Sequence, residues 1–276
     1  MRIGVHLPQF GRALVPGGVV KAAICAEELG FHDVWVSDHL VIPKDQAYPA
    51  PHLYDPLMTL AFAAASTTRV GIGTSVLVAT QYTSPLALAN SLASLDHLSD
   101  GRLTVGAGIG WSKGEYEALG APFEHRGERL EEIVSLWRTA WQDDPATHEG
   151  RFYPFSDIRI LPKPAHEIPV WLGGTSDAAI ERAIRLADGY HGIGVAPADA
   201  PQLVKRIRSS RPEETFTISL RVPWDARADD ETVRQQLAQY AAAGIQHLHV
   251  APERGDLDAW LEGMERLARQ AGIAAP

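Results

Sequence analysis

A (β/α)8 barrel of the TIM type is the fold class that this chain predicts, and three observations carry the prediction. Strand-like and helix-like segments alternate from one end of its 276 residues to the other, the pattern of a parallel sheet with crossover helices. Eight strands can be counted, each followed by a helix, in a length that suits one barrel. No Gly-x-Gly-x-x-Gly follows the first strand, and Gly106-x-Gly108-x-Gly110 after the fourth is wrongly spaced for a dinucleotide fingerprint. An open doubly wound sheet is therefore the alternative rather than the first reading.

The first strand, Arg2 to Leu7, stops at Pro8, and a loop containing Gln9 leads to a helix from about Gly18 to Leu29. Ala22, Ala23, Ala26 and Leu29 share one face of that helix, and Gly30 is placed to end it as a C′ residue. The second strand, Val34-Trp35-Val36, is β-branched and aromatic and runs straight into Ser37-Asp38-His39. Side chains at the carboxyl end of such a strand project into the ligand crevice of βα architectures. A long polar loop follows, with Pro43, Tyr48, Pro49, Pro51 and Tyr54, of the kind that forms a lid or a substrate wall.

Asp55-Pro56 sets an N-cap and an N1 proline ahead of a helix to about Ser66. Val70 to Val78 is the third strand; its glycines, Gly71 and Gly73, and its small polar tip predict that backbone approaches a ligand there. Ser84-Pro85 opens the third helix, which carries Leu86, Leu88, Leu92, Leu95 and Leu98 before Asp100-Gly101 turns the chain into the fourth strand, Arg102 to Ala107. The piece holding Glu115, Tyr116 and Leu119 reads as irregular, and an amphipathic helix follows from about Arg126 to Trp141. The proline-rich stretch of about 142–167 reads as an insertion with short strands. Pro169 to Leu172 is the fifth strand, meeting Gly173-Gly174-Thr175-Ser176 at the start of a helix that ends near Ala187. Strands at Tyr190 to Ile193, Thr215 to Val222 and Gln246 to Val250 then alternate with helices at Ala200 to Arg208, Asp230 to Ala243 and Asp256 to Gln270. Residues 1–276 are read as one domain.

The 45% apolar composition supports a full core, and a formal charge of -9 with no run of Lys or Arg argues against nucleic acid and for a small-molecule partner. Cys25 is the single cysteine and cannot form an internal disulfide; with no signal peptide and no bilayer-length apolar run, the expectation is a cytoplasmic protein without a membrane partner.

Polar residues that the strand ends would bring to one barrel mouth are Gln9, Asp38, His39, Thr74, Ser75, Trp111, Lys113, Glu115 and His191. A histidine titrates near neutral pH and suits proton transfer, and an adjacent carboxylate can orient it; equally, Asp38 and His39 could be an ordinary solvated loop start. Gly173-Gly174-Thr175-Ser176 offers backbone N–H groups at a helix start, which suits either a phosphate or a plain N-cap by Thr175 or Ser176. His247-Leu248-His249 sets two imidazoles on one strand face, yet no zinc or facial-triad spacing emerges, so no metal is expected and a metal-dependent hydrolase ranks last. No Gly-x-Ser-x-Gly nucleophile motif is present.

Several of these pieces match a known family. Gly4-Val5-His6-Leu7-Pro8-Gln9, the run from Ala26-Glu27 to Asp38-His39, Gly73-Thr74-Ser75-Val76-Leu77, Leu95-Asp96 to Gly101-Arg102, Gly106-x-Gly108-x-Gly110-Trp111 and Gly173-Gly174 resemble the bacterial luciferase-like superfamily. Within it the likeness is to the oxidoreductases that use the deazaflavin coenzyme F-420, and it covers the first two-thirds of the chain. The resemblance implies a barrel with an insertion, usually a homodimer, holding the cofactor ring at the strand ends. It implies a non-prolyl cis peptide in the Thr74-Ser75-Val76 bulge behind the ring, with Gly108 nearby. It also implies a cofactor phosphate received by Gly173, Gly174 and Thr175 and a pocket completed by the loop with Gly192, Gly194 and Val195. The sugar-phosphate dehydrogenases of this kind carry a glutamate where Trp111 stands here, which argues against a sugar-phosphate substrate.

The expected function is hydride transfer between coenzyme F-420 and a small organic substrate. His39 is the expected proton carrier, with Asp38 orienting it or bonding the ring; Trp111, Glu115 and Tyr54 are expected at the substrate wall, Glu115 more as a surface carboxylate than as an acid. An FMN-dependent monooxygenase and a cofactor-binding protein without turnover are the alternatives.

Overall fold

The computed structural model describes residues 1–49, 52–225, 228–252 and 255–274. Pro51, expected in the rim loop, lies outside them. The strands in chain order are β1 (Arg2–His6), β2 (Asp33–Val36), β3 (Gly71–Leu77), β4 (Leu103–Ala107), β5 (Ala146–His148), β6 (Phe155–Ile158), β7 (Val170–Gly173), β8 (Gly189–Ile193), β9 (Thr217–Val222) and β10 (His247–Val250). All but β5 and β6 pair in parallel and close into a barrel, with β10 returning to β1. β5 and β6 form a separate antiparallel pair within the stretch read as an insertion. Open-sheet topology is thereby ruled out.

The helices are α1 (Gly18–Leu29), α2 (Pro56–Ser66), α3 (Pro85–Leu98), α4 (Lys113–Ala118), α5 (Arg126–Gln142), α6 (Asp177–Leu186), α7 (Ala200–Ser210), α8 (Asp230–Ala242) and α9 (Leu257–Ala271). Their starts follow local chemistry: Asp55 accepts from Met58 N and Ser84 from Ala87 N, each with a proline in the first turn. Gly30, at φ 86°, ends α1 as read from the sequence. The stretch read as irregular contains α4, capped by Ser112, because six residues are too few to show a helical period. Leu98 departs from the expected apolar face: it sits at the last turn of α3 and is 82% exposed.

Inside the barrel the filling is polar and aromatic rather than aliphatic. Trp35 stacks on His191 at 5.2 Å and 8°, and on Trp171 and His249. The glycines of β3 serve this layer and not a ligand: a Cβ on Gly73 would stand 2.6 Å from Trp35 Cζ3, and one on Gly71 3.1 Å from Asp33 Cβ. Sequence spacing cannot show which neighbour a strand glycine makes room for, since that depends on register.

The amino-end rim is pinned by Glu27 of α1, whose carboxylate accepts from Thr68 N at 3.0 Å, Arg69 N at 2.6 Å and Val70 N at 2.8 Å just before β3. Burial alone would raise its pKa, but those N–H groups outweigh it and hold the carboxyl below its ordinary value. Glu27→Ala leaves the N–H of buried Val70 without its acceptor, while those of exposed Thr68 and Arg69 turn to water, and thermal unfolding is expected to show a loss of about 1 kcal/mol. A change within error would remove Glu27 from the account of this rim.

Candidate active site

The carboxyl ends of β2, β3, β4, β7, β8 and β9 surround a cavity of about 430 Å³ whose lining includes Asp38, His39, Ser75, Val76, Gly108, Trp111, Glu115, Gly173, Gly174, Thr175, His191 and Arg221. The Asp38-His39 pair and the Gly173-Gly174 turn thus share one space, large enough for a cofactor-sized ligand. A more open recess of about 600 Å³ between α7 and α8 has only Lys205 and Gln239 as polar lining, and it offers no comparable chemistry.

His39 is held by Glu115. Its Nδ1 lies 2.8 Å from Glu115 Oε1, and Gln46 Nε2 donates to the same oxygen at 3.0 Å, while Gln81 Nε2 reaches Oε2 at 3.4 Å. Ser112 caps α4 and donates to Gln46 Oε1 at 2.5 Å, so that α4 presents Glu115 to the cavity with its partners fixed. Burial raises the Glu115 pKa, but the bonds from His39 and Gln46 outweigh it and the net shift is downward. An ionised carboxylate is an acceptor only, so His39 carries its proton on Nδ1 and leaves Nε2 as the nitrogen open to a ligand. The expectation of Glu115 as a surface carboxylate is corrected: the residue is 1% exposed.

Asp38 does not orient His39. Its Oδ2 accepts from Val78 N at 2.8 Å and its Oδ1 receives the Tyr82 hydroxyl at 3.5 Å. Burial pushes its carboxyl from 3.8 to about 7, opposed by the Val78 N–H and His39. The group therefore changes charge near neutral pH beside the cavity.

The floor is built at β3. Its ladder slips between Thr74 and Leu77, and the Ser75-Val76 peptide is cis. Val76 fits there because Gly108 and Gly173 flank it: a Cβ on Gly108 would lie 2.7 Å from Val76 Cγ2, and one on Gly173 2.9 Å from Val76 Cγ1. An apolar wall of this kind, set between two bare stretches of backbone, fits the face of a planar ring. Thr74 is fully buried, donates to Gly106 O at 2.8 Å and stays out of the lining.

At the β7 turn, Gly174 has φ 125° and Ser176, not Thr175, caps α6, so Thr175 stays outside the cap. Thr175 also borders a smaller recess of about 240 Å³ with Tyr190, Val195 and Arg206. Of the loop from Gly192 to Val195, Ile193 lines the main cavity and Val195 the smaller recess, while Gly192 and Gly194 line neither. Trp111 is 59% exposed at the mouth, its ring 6.2 Å from His39 and perpendicular in sense at 69°. Tyr54 is not part of the lining and Tyr48 is. Gln9 is a clamp, donating to Ser37 O and Tyr54 O and accepting from Ser37 N, and Lys113 is exposed beside Glu117.

Sequence reasoning missed Gln46, Gln81, Ser112 and Arg221. Arg221 left a readable trace, a charged residue inside the apolar run of β9; it donates to Ser37 Oγ at 3.0 Å and Ser75 O at 2.9 Å. No group of three or more metal-ligating side chains occurs among the described residues. Cys25 lies in α1 with its thiol pushed up to about 11, first by burial and then by Glu265 and Glu28.

A family model described as luciferase-like monooxygenase matches residues 1–272. An F-420-dependent glucose-6-phosphate dehydrogenase of Amycolatopsis mediterranei is 34% identical over 185 residues, covering 66% of this chain and 54% of the relative. The chain thus spans about half the length of the curated relatives of that name. An uncharacterized protein of Mycobacterium tuberculosis is 30% identical over 286 residues, covering 97% of this chain and 98% of its own. Among solved structures, an F-420-dependent secondary alcohol dehydrogenase in complex with an F-420-acetone adduct superposes with TM-score 0.82 at 18% identity over 98% of each chain. A monooxygenase, RslO1 of Streptomyces bottropensis, does so with TM-score 0.79 at 21% identity, again over 98% of each. At these identities the structural likeness speaks for the fold alone.

Proposed function

The chain belongs to the luciferase-like monooxygenase family, and from that premise we propose that it is an oxidoreductase that binds coenzyme F-420 and exchanges hydride with a small organic substrate. The observation that carries this reading is the pair of half-buried His39 and buried Glu115, which faces the same cavity as the Gly108-Val76-Gly173 wall. Glycines that leave no room for a Cβ, an apolar floor and a polar far end fit a deazaflavin ring. Its named relatives at 33% to 35% identity also favour coenzyme F-420 over FMN.

When bound, the deazaflavin ring supplies the site that accepts or gives hydride. Val76, Gly108 and Gly173 would seat it, with Ser75 beneath, and Gly174 and Thr175 would offer backbone and hydroxyl groups to a phosphate. His39 Nε2 takes the hydroxyl proton of an alcohol undergoing oxidation, or returns it in the reverse direction. Glu115 keeps the opposite ring nitrogen protonated and stabilises the imidazolium that forms. Trp111 and Tyr48 wall the substrate side, and their aromatic faces suit an apolar substrate better than a sugar phosphate.

The test is hydride exchange. Purified protein is mixed with oxidised coenzyme F-420 and a panel of primary and secondary alcohols, and loss of the ring's visible absorbance is followed. Exchange with at least one member of the panel is expected. Tight binding with no exchange, with alcohols or with carbonyl acceptors and reduced cofactor, would make the protein a cofactor carrier instead.

We also read the protein as a single cytoplasmic domain that pairs as a homodimer. No helix among the described residues is long and apolar enough to cross a membrane. α2 supports the pairing: Leu60 and Ala63 face inward, yet Met58 and Phe62, one turn apart, are 61% and 65% exposed. Phe62→Glu is expected to convert a dimer into a monomer in light scattering. A wild-type monomer would contradict the pairing.

A further inference from the structure

Beneath the cavity floor the barrel holds a chain of polar side chains that the proposed chemistry does not use. It begins at the amino end of β2, where Asp33 Oδ1 lies 2.8 Å from His247 Nε2. His247 Nδ1 lies 2.6 Å from Ser219 Oγ, and Ser219 Oγ 2.7 Å from His191 Nδ1. His191 Nε2 lies 2.8 Å from Ser75 Oγ, which is also 2.9 Å from His249 Nδ1. Of these residues only His191 and Ser75 line the cavity. His247, Ser219 and His249 are fully buried.

With one proton on each imidazole, the inventory of donors fixes the direction of every link. Burial raises the Asp33 pKa, but His247, Trp35 and Arg2 outweigh it and hold the carboxyl below its ordinary value, so the group is ionised and only accepts. His247 therefore donates through Nε2, and when the ring holds that one proton its Nδ1 accepts the Ser219 hydroxyl proton. The Ser219 oxygen accepts His191 Nδ1–H, which leaves His191 Nε2 to accept the Ser75 hydroxyl proton. Burial, with His247 and Arg221, lowers the His191 pKa to about 3, so the ring has one proton to place. At the far end His249 Nε2 is buried with no partner, among the described residues, so the single proton of that ring belongs on Nδ1, facing Ser75.

We infer that Asp33 is a positioning residue for the cavity: acting through His247, Ser219 and His191, it draws the Ser75 hydroxyl proton inward and leaves Ser75 a hydrogen-bond acceptor toward a bound ligand. The converse shows what the chain controls. Without the Ser219 hydroxyl, a proton on His191 Nδ1 would be buried and unpaired, so it moves to Nε2. Ser75 Oγ would then accept from both His191 and His249, and its own proton would turn to the cavity. Ser75 would change from acceptor to donor, although the altered residue does not touch the ligand. Identifying that ligand as the cofactor ring rests on the proposed function; the direction of the chain does not.

The experiment is long-range proton-nitrogen correlation of the full-length, ligand-free protein labelled with nitrogen-15 in histidine. Wild type is expected to show His247 protonated on Nε2 alone and His191 and His249 on Nδ1. In Ser219→Ala, His191 is expected to convert to the Nε2 form while His249 keeps Nδ1. His191 protonated on Nε2 in wild type, or an unmoved tautomer in the variant, would overturn the inference, and the wild-type spectrum decides it even if the variant does not fold. Failure of both coenzyme F-420 and FMN to bind would count against the proposed function and leave these resonances as they are.

Discussion

His39→Ala is expected to lower turnover by about a hundredfold while cofactor affinity stays close to wild type. The basis is geometric: Nδ1 is committed to Glu115 at 2.8 Å, so the only nitrogen able to exchange a proton with substrate is Nε2, and alanine removes it. Glu115→Gln should fall short of that loss. Glutamine keeps an acceptor for Nδ1–H but not the charge that stabilises the imidazolium, so kcat drops with little change in KM. Single-turnover hydride transfer with both variants checks the pair. Wild-type rates in His39→Ala at full cofactor occupancy would take the imidazole out of the chemistry.

The second large effect concerns stability. Asp38 is buried, and its carboxyl titrates at about 7 in place of 3.8. A carboxyl raised on folding keeps its proton in the folded state when the unfolded chain has lost it, so its favourable contribution is complete below about pH 4 and disappears as pH rises toward 7. Asparagine can still accept from Val78 N but has no proton to lose. Asp38→Asn is therefore expected to gain on wild type between about pH 4 and 7, by up to about 4 kcal/mol at the upper end, and to hold that gain above. Denaturant titrations at several pH values read the difference. A gap that stays constant with pH would mean that Asp38 is ionised throughout.

What the sequence made legible is local or periodic. Asp55-Pro56 and Ser84-Pro85 start helices because a cap and an N1 proline act within one turn, whatever the rest of the fold does. The Val34-to-His39 run showed its place at a strand end by composition alone, and barrel topology then carried Asp38, His39 and the Gly173-Gly174 turn to one cavity. What stayed hidden depends on contacts distant in the chain. Glu115 is 76 residues from His39, on a helix too short to show a period, so it could not be told from a surface carboxylate. Gly73 looked like a ligand contact until β2 set Trp35 against it. The rim loop contained two tyrosines with nothing to distinguish them, and only Tyr48 reaches the cavity.

The claim on which the rest turns is that the cavity seats a deazaflavin ring beside His39. Stoichiometric titration of the purified protein with oxidised coenzyme F-420 and, separately, with FMN, followed by ring fluorescence, tests it most directly. Saturable one-to-one binding of coenzyme F-420, at least tenfold tighter than FMN and weakened by a side chain at Gly173, is the result this account predicts. Tighter binding of FMN, or binding of F-420 indifferent to Gly173→Val, would contradict it.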